Sequence, residues 1–236
     1  MRHADVTPDL VAAETERLLS TAASFRNDAV LAPSLCEGWS RGHVLAHLAR
    51  NADALVRVCD VALTGAPDTM YDDVESRDAD IERGARRSAH EHATDIRDTA
   101  ARLADRLEAL RPEHAEVRVE RTPGGFPIAV GMVPFMRLRE VVFHHVDLAA
   151  GFTFADVEPD LARRFVDDAV TRLGSAAPEL ALSLRSDEGD TWRLGAEDGA
   201  ATAEVTGPLA GLLLWLARRD ASGVRSERLP ELPRGS

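Results

Sequence analysis

The side chains in this sequence best suited to chemistry are histidines paired with a carboxylate. Of the eight histidines, four fall in two segments with helical periodicity, His43 and His47 in one and His144 and His145 in the other. His43 and His47 are four residues apart and so share one helical face, as do Glu140 and His144. An imidazole on one helix opposite a Glu-x-x-x-His pair on another is how helical bundles assemble metal centres in their interiors. A single helical histidine is more often a surface or hydrogen-bonded core residue. Glu140, however, lies in the run Arg139-Glu-Val-Val-Phe-His-His-Val-Asp-Leu148, and a carboxylate among such apolar neighbours is costly to bury without a metal or charge partner. Two imidazoles and one carboxylate leave a coordination position open, as in catalytic zinc sites, whereas a structural zinc takes four closed ligands rich in cysteine.

The two cysteines do not compete for a nucleophile's role. Cys59 falls in an apolar helical stripe, and Cys36 stands at the approach to a helix with no nearby basic motif, so both read as structural. Trp39, just before the candidate N-cap Ser40, reads as the hydrophobic residue that staples the helix entry.

These residues need helices to hold them. Leu10 to Phe25 carries Val11, Leu18, Leu19 and Ala22 at a period near 3.6. Ser40 opens a helix through Val44, Leu45, Leu48, Leu55, Val58 and Leu63 that ends near Gly65 and Pro67. Glu75 to Leu110 reads as one polar-rich helix stopped by Pro112, with its charged stretch from Asp72 to Asp98 a solvated face. Thr122 to Pro127 is a loop, and Pro134 and Gly151 bracket a helix over Phe135 to Ala150. Four such helices make a four-helix bundle over residues 1–155. Beyond it, residues 156–236 read as a small α+β domain that closes one side of the cleft. It has a helix from Pro159 to Leu173, strands at Leu180 to Leu184, Thr191 to Leu194 and Ala201 to Val205, and a last helix from Pro208 to Arg219. Met136, Phe143 and Trp215 read as core.

Composition narrows the function classes. The 236 residues are 44% hydrophobic and 29% charged, too apolar for disorder. No apolar run approaches the roughly 18 residues of a spanning helix, and Met1 to Asp5 begins no signal peptide. A cytoplasmic location is therefore expected, which two cysteines without metal-type spacing also suit. A formal charge of −12 argues against nucleic acid or anionic membrane as partner. There is no lysine, so all 28 basic residues are arginine, and a bound anion is gripped by arginine, histidine or backbone.

Three blocks carry a family resemblance: Leu35 to Asn51, which contains Gly-Trp-Ser-Arg-Gly-His-Val-Leu-Ala-His; Met70-Tyr71 followed by Glu75-Ser-Arg-Asp-Ala-Asp-Ile81; and Met136 to Leu148. With Val205 to Gly211 and Pro230 to Arg234 in the tail, they make the chain resemble mycothiol-dependent maleylpyruvate isomerases, members of the DinB-like metal-binding bundles. The match is loose from Arg121 to Val130 and in the second-domain strands. The resemblance implies a zinc ion held by His47, Glu140 and His144, with His43 outside the ligand set. It also implies mycothiol as cofactor, an essential arginine at Arg77, and a second-domain arginine near the active site at Arg219, or at Arg218 if the register is shifted by one.

The chemistry so implied is coherent. Isomerising a cis double bond conjugated to a ketone needs a transient single bond, which thiolate addition creates. A thiol at neutral pH is mostly protonated, and a metal that binds sulfur displaces that proton. The resulting enolate must be stabilised where it forms, and arginine suits both that task and a two-pronged grip on a carboxylate. Maleylpyruvate to fumarylpyruvate, within gentisate-type aromatic breakdown, is the expected conversion. The same centre would also serve a mycothiol S-transferase acting on another electrophile, and the bundle alone would serve a noncatalytic metal-dependent binding protein.

Overall fold

A computed structural model describes residues 6–195 and 203–233 of the chain. The chain divides into two units, Met1–Gly151 and Phe152–Ser236. The N-terminal pentapeptide, the first two residues of the strand expected at Ala201 to Val205, and Arg234 of the tail motif lie outside the described residues.

In the first unit α1 (Pro8–Ala23), α3 (Arg41–Thr64), α5 (Ala89–Ala109) and α6 (Val133–Asp147) form a four-helix bundle. The short α2 (Asn27–Val30) leads into α3, and α4 (Val74–Gly84) packs on α3. Local chemistry sets the starts. The Thr7 hydroxyl accepts from Leu10 N–H, and Pro8 occupies the first turn of α1. Ser40 caps α3 by accepting from His43 N–H, while the His43 ring accepts from Ser40 N–H, so this capping box uses an imidazole where a glutamate is usual. Gly65, at φ 73°, ends α3 in the left-handed region that a side chain disfavours. Within the bundle Leu45, Leu48, Leu55 and Val58 of α3 are fully buried, together with Leu18, Ile96, Leu138 and Val142 of the other three helices. Fully burying one such side chain contributes about 2 kcal/mol.

The stretch expected as one helix from Glu75 to Leu110 is two. Ser88 and Glu91 form a second capping box that starts α5 afresh. Gly84 ends α4 against Ala46, where an added Cβ would stand 2.8 Å from the Ala46 methyl. A sparse apolar pattern between Asp72 and Asp98 hides this corner, because cap geometry rather than burial makes it. The loop at Thr122 to Pro127 joins a small antiparallel hairpin, β1 (Arg118–Glu120) with β2 (Pro127–Ala129).

The second unit contains α7 (Pro159–Ala176), a three-stranded sheet and α8 (Leu209–Arg218). Its strands β3 (Leu182–Ser186), β4 (Thr191–Leu194) and β5 (Ala203–Gly207) lie in the order β4-β3-β5, with β3 antiparallel to β4 and parallel to β5. Leu182, Leu184 and Val205 on the sheet are buried, as are Phe165 of α7 and Leu212, Leu213 and Trp215 of α8. Among the described residues, no helix is long and apolar enough to cross a membrane.

Candidate functional site

Helix α3 supplies His47, and α6 supplies Glu140 and His144. His47 Nε2 lies 2.8 Å from Glu140 Oε2, and His144 Nε2 lies 3.3 Å from the same oxygen. The two imidazole rings meet edge to face, with centroids 4.7 Å apart. One donor atom from each of the three residues falls within a common 4.8 Å, a group that could hold a metal ion. Ninety-three residues of sequence separate His47 from Glu140, and the packing of α3 against α6 brings them together.

Burial would push the Glu140 carboxyl up, but the hydrogen bonds it shares with His144 and His47 prevail and hold it well below its ordinary range. Burial would likewise depress His144, yet its contacts with Asp147, Cys36 and Glu140 raise it well above the usual histidine value. Burial does lower His47, against the opposing pull of Glu140. The three residues thus set one carboxylate between two imidazoles of opposite pKa tendency.

The other two histidines of α3 and α6 are engaged elsewhere. His43 is held by the Ser40 cap, and its Nε2 lies 3.0 Å from Glu82 Oε2 on α4. His145 Nε2 lies 2.8 Å from Thr21 Oγ1 on α1. Trp39 does more than staple a helix entry, since its ring centroid is 5.6 Å from that of His47 and 6.2 Å from that of His43.

Two neighbours escaped the sequence reading. Asp147, fully buried, sets Oδ2 2.8 Å from His144 Nδ1. Cys36, expected to lack basic company, donates its thiol to the same Asp147 oxygen at 3.3 Å and contacts His144. It stands 111 residues from Asp147 in sequence, which is why local motif reading misses it. The spacing His144-x-x-Asp147 was visible and is the one signal that could have found the pair. Cys59 is buried, and that burial pushes its thiol up to about 12, which leaves it inert.

Arg77 is in the first turns of α4 with its side chain only 19% exposed, which sets it apart from the solvated arginines of that stretch. Nη1 donates to Asp78 Oδ1 at 2.6 Å, Nη2 lies 3.4 Å from His47 Nδ1, and Nε is buried without a partner among the described residues. Its guanidinium carbon is 5.7 Å from the Tyr71 ring centroid, and that of Arg121 is 5.6 Å away from the same centroid. Arg77 and Tyr71 share the wall of a cleft of about 580 Å3 with Met70, Arg50, Arg57 and Asp53. Arg219 belongs to the second unit, where it ends α8 at φ 63° and donates to the carbonyls of Leu216 and Pro233.

Residues 11–149 match the family model of the mycothiol maleylpyruvate isomerase N-terminal domain. Two solved structures resemble the whole chain, each with a TM-score of 0.88 and each covering 100% of both chains. They are the crystal structure of the mycothiol-dependent maleylpyruvate isomerase, 27% identical, and that of a histidine-to-alanine mutant of it, 26% identical. No curated protein matches the chain.

Proposed function

This chain belongs to the family of the mycothiol maleylpyruvate isomerase N-terminal domain, and on that premise we propose that it is a zinc- and mycothiol-dependent isomerase converting maleylpyruvate to fumarylpyruvate. The observation that carries the metal part of the reading is the trio of His47, Glu140 and His144. Donors bound at about 2.0 to 2.2 Å around a tetrahedral zinc stand roughly 3.4 Å apart, and the trio's contacts of 2.8 and 3.3 Å need little adjustment to reach that spacing. A zinc ion there would supply a thiolate at neutral pH by binding the thiol sulfur and displacing its proton.

The chain's own residues do the rest. Asp147 fixes the His144 ring by accepting at Nδ1, which leaves Nε2 directed to the centre. Addition of the thiolate to the substrate alkene leaves a single bond free to rotate, and elimination restores the alkene as trans. The electron pair released on addition resides on the conjugated carbonyl as an enolate. Arg77, a fixed cation 3.4 Å from His47 and held against the Tyr71 ring, is the group proposed to stabilise it. Arg219 is proposed as the second arginine on which the activity depends.

The test is ultraviolet-monitored loss of maleylpyruvate with and without mycothiol. Catalytic loss that requires the thiol, with fumarylpyruvate as product, supports the reading. A stable conjugate in place of turnover makes the protein a transferase, and no reaction with either thiol or substrate leaves it a binding protein.

A further inference from the structure

Tyr71, the single tyrosine of the chain, stands just before α4 and shares the wall of the cleft of about 580 Å3 with Arg77. Only 8% of it is exposed. Its backbone N–H donates to Arg121 O and that of Met70 to Glu120 O, both at 2.9 Å, which lays the two residues alongside the end of β1. Tyr71 also belongs to the apolar cluster of Val119, Ile128 and Val130. Backbone bonds and packing therefore fix the ring before any ligand arrives.

A phenol buried this deeply ordinarily donates its O–H to a protein acceptor. Tyr71 does not. The side chain set against its phenol oxygen is the Arg77 guanidinium, which carries donors only, and among the described residues no group accepts from Tyr71 Oη. Nor is the hydroxyl sealed off. The buried side-chain atoms without a partner include Arg77 Nε but not Tyr71 Oη, so the uncommitted O–H opens on the cleft that Tyr71 lines. Burial, with the Glu140 charge adding to it, holds the phenol above its ordinary pKa against the opposing Arg77 and Arg121 cations. It is therefore an O–H donor at neutral pH.

We propose that Tyr71 is a catalytic residue whose hydroxyl, beside Arg77, donates a hydrogen bond to the ketone oxygen conjugated to the substrate's alkene. That oxygen takes up the electron pair when the thiolate adds to the far alkene carbon, and it returns the pair on elimination. The hydrogen bond is stronger to the enolate than to the ketone, so it lowers the barrier instead of merely tightening binding. The phenol keeps its hydrogen throughout, and Arg77 balances the charge on the oxygen. This assignment deepens the isomerase reading above and rests on it.

The test compares the metal-loaded wild type with Tyr71→Phe, which keeps the ring and its contacts with both guanidiniums and loses only the oxygen. Its kcat should fall by about 10²-fold, the scale of one preorganised donor, with KM and zinc content nearly unchanged. A kcat near wild type, or a rise in KM alone, would overturn the proposal. Because the chain has one tyrosine, 3-fluorotyrosine labelling gives a single fluorine NMR resonance that reports on this ring without turnover. Acetylpyruvate, which has the same diketo-acid head and no alkene, should shift that resonance in the metal-loaded protein. No shift at saturating acetylpyruvate would overturn the donor. A chain inactive on maleylpyruvate whose resonance still moves would refute the substrate assigned above and leave the donor standing.

Discussion

Asp147 Oδ2 stands 2.8 Å from His144 Nδ1 with the whole aspartate side chain out of contact with solvent. A carboxylate in this position fixes both the tautomer and the ring orientation of the imidazole, and loss of such a partner typically weakens metal affinity by about 10- to 100-fold. Asp147→Ala should lower zinc affinity by that factor, read by competition with a chromophoric chelator. Asp147→Asn, which retains an accepting oxygen, should lower it less. Equal affinities in the wild type and Asp147→Ala would leave the aspartate a packing residue.

The trio itself is tested by metal content. Purified protein should carry about one divalent ion per chain, and His47→Ala, Glu140→Ala and His144→Ala should each lose the ion and the activity together. His43→Ala should keep the ion, because its ring is committed to Ser40 and Glu82. Full metal content in Glu140→Ala, measured by elemental analysis, would refute the site.

Arg77 separates an enzyme from a scaffold. Arg77→Ala should leave zinc content and circular dichroism nearly unchanged while lowering turnover by about 10² or more, the scale of losing one preorganised electrostatic donor. Arg77→Lys should restore only part of it, since an ammonium cannot reproduce the planar fork. Turnover near wild type in Arg77→Ala would shift the electrostatic role to Arg219, for which Arg219→Ala is the companion measurement.

His92, fully buried on α5, provides a pH test away from the site. Burial, seconded by Arg87, lowers its pKa from 6.5 to about 4. The unfolded chain therefore binds a proton between those values that the folded chain refuses, and stability falls as pH falls through that window. The loss should approach about 3 kcal/mol by pH 4. Urea unfolding at pH 7 and pH 4 should show a smaller drop in His92→Leu by that amount, and an equal drop in both proteins would exclude the histidine as the cause.

How far the sequence foretold these arrangements depended on the range of the interactions. Helix α3 was legible from its apolar period and from Ser40 and Gly65, and the limits of α6 from Pro134 and Gly151, because all of these act within a few residues. That an imidazole of α3 should meet Glu140 and His144 followed from i,i+4 spacing once two facing helices were assumed, and the family resemblance singled out His47 over His43. The corner between α4 and α5 was not legible, since the Gly84 contact with Ala46 is tertiary. Cys36 beside Asp147 was invisible for the same reason. The Arg77 side chain looked like one of many solvated arginines because its burial depends on Tyr71 and α3, neither of which its own helix reveals.

The corner at Gly84 to Ser88 has a consequence for how the molecule opens. It cuts α4 off from the hydrogen-bond ladder of α5 and leaves an eleven-residue helix with only Ile81 and Gly84 buried. Isolated helices of that length are marginal in water, so α4 owes its order to the face it lays on α3. Its amides should exchange with deuterium through local opening at a lower free energy than those of α3, whose apolar face is buried along most of its length. Arg77 therefore rides on a helix less protected than α3, and any ligand that engages its guanidinium should slow exchange along α4 while leaving α3 unchanged.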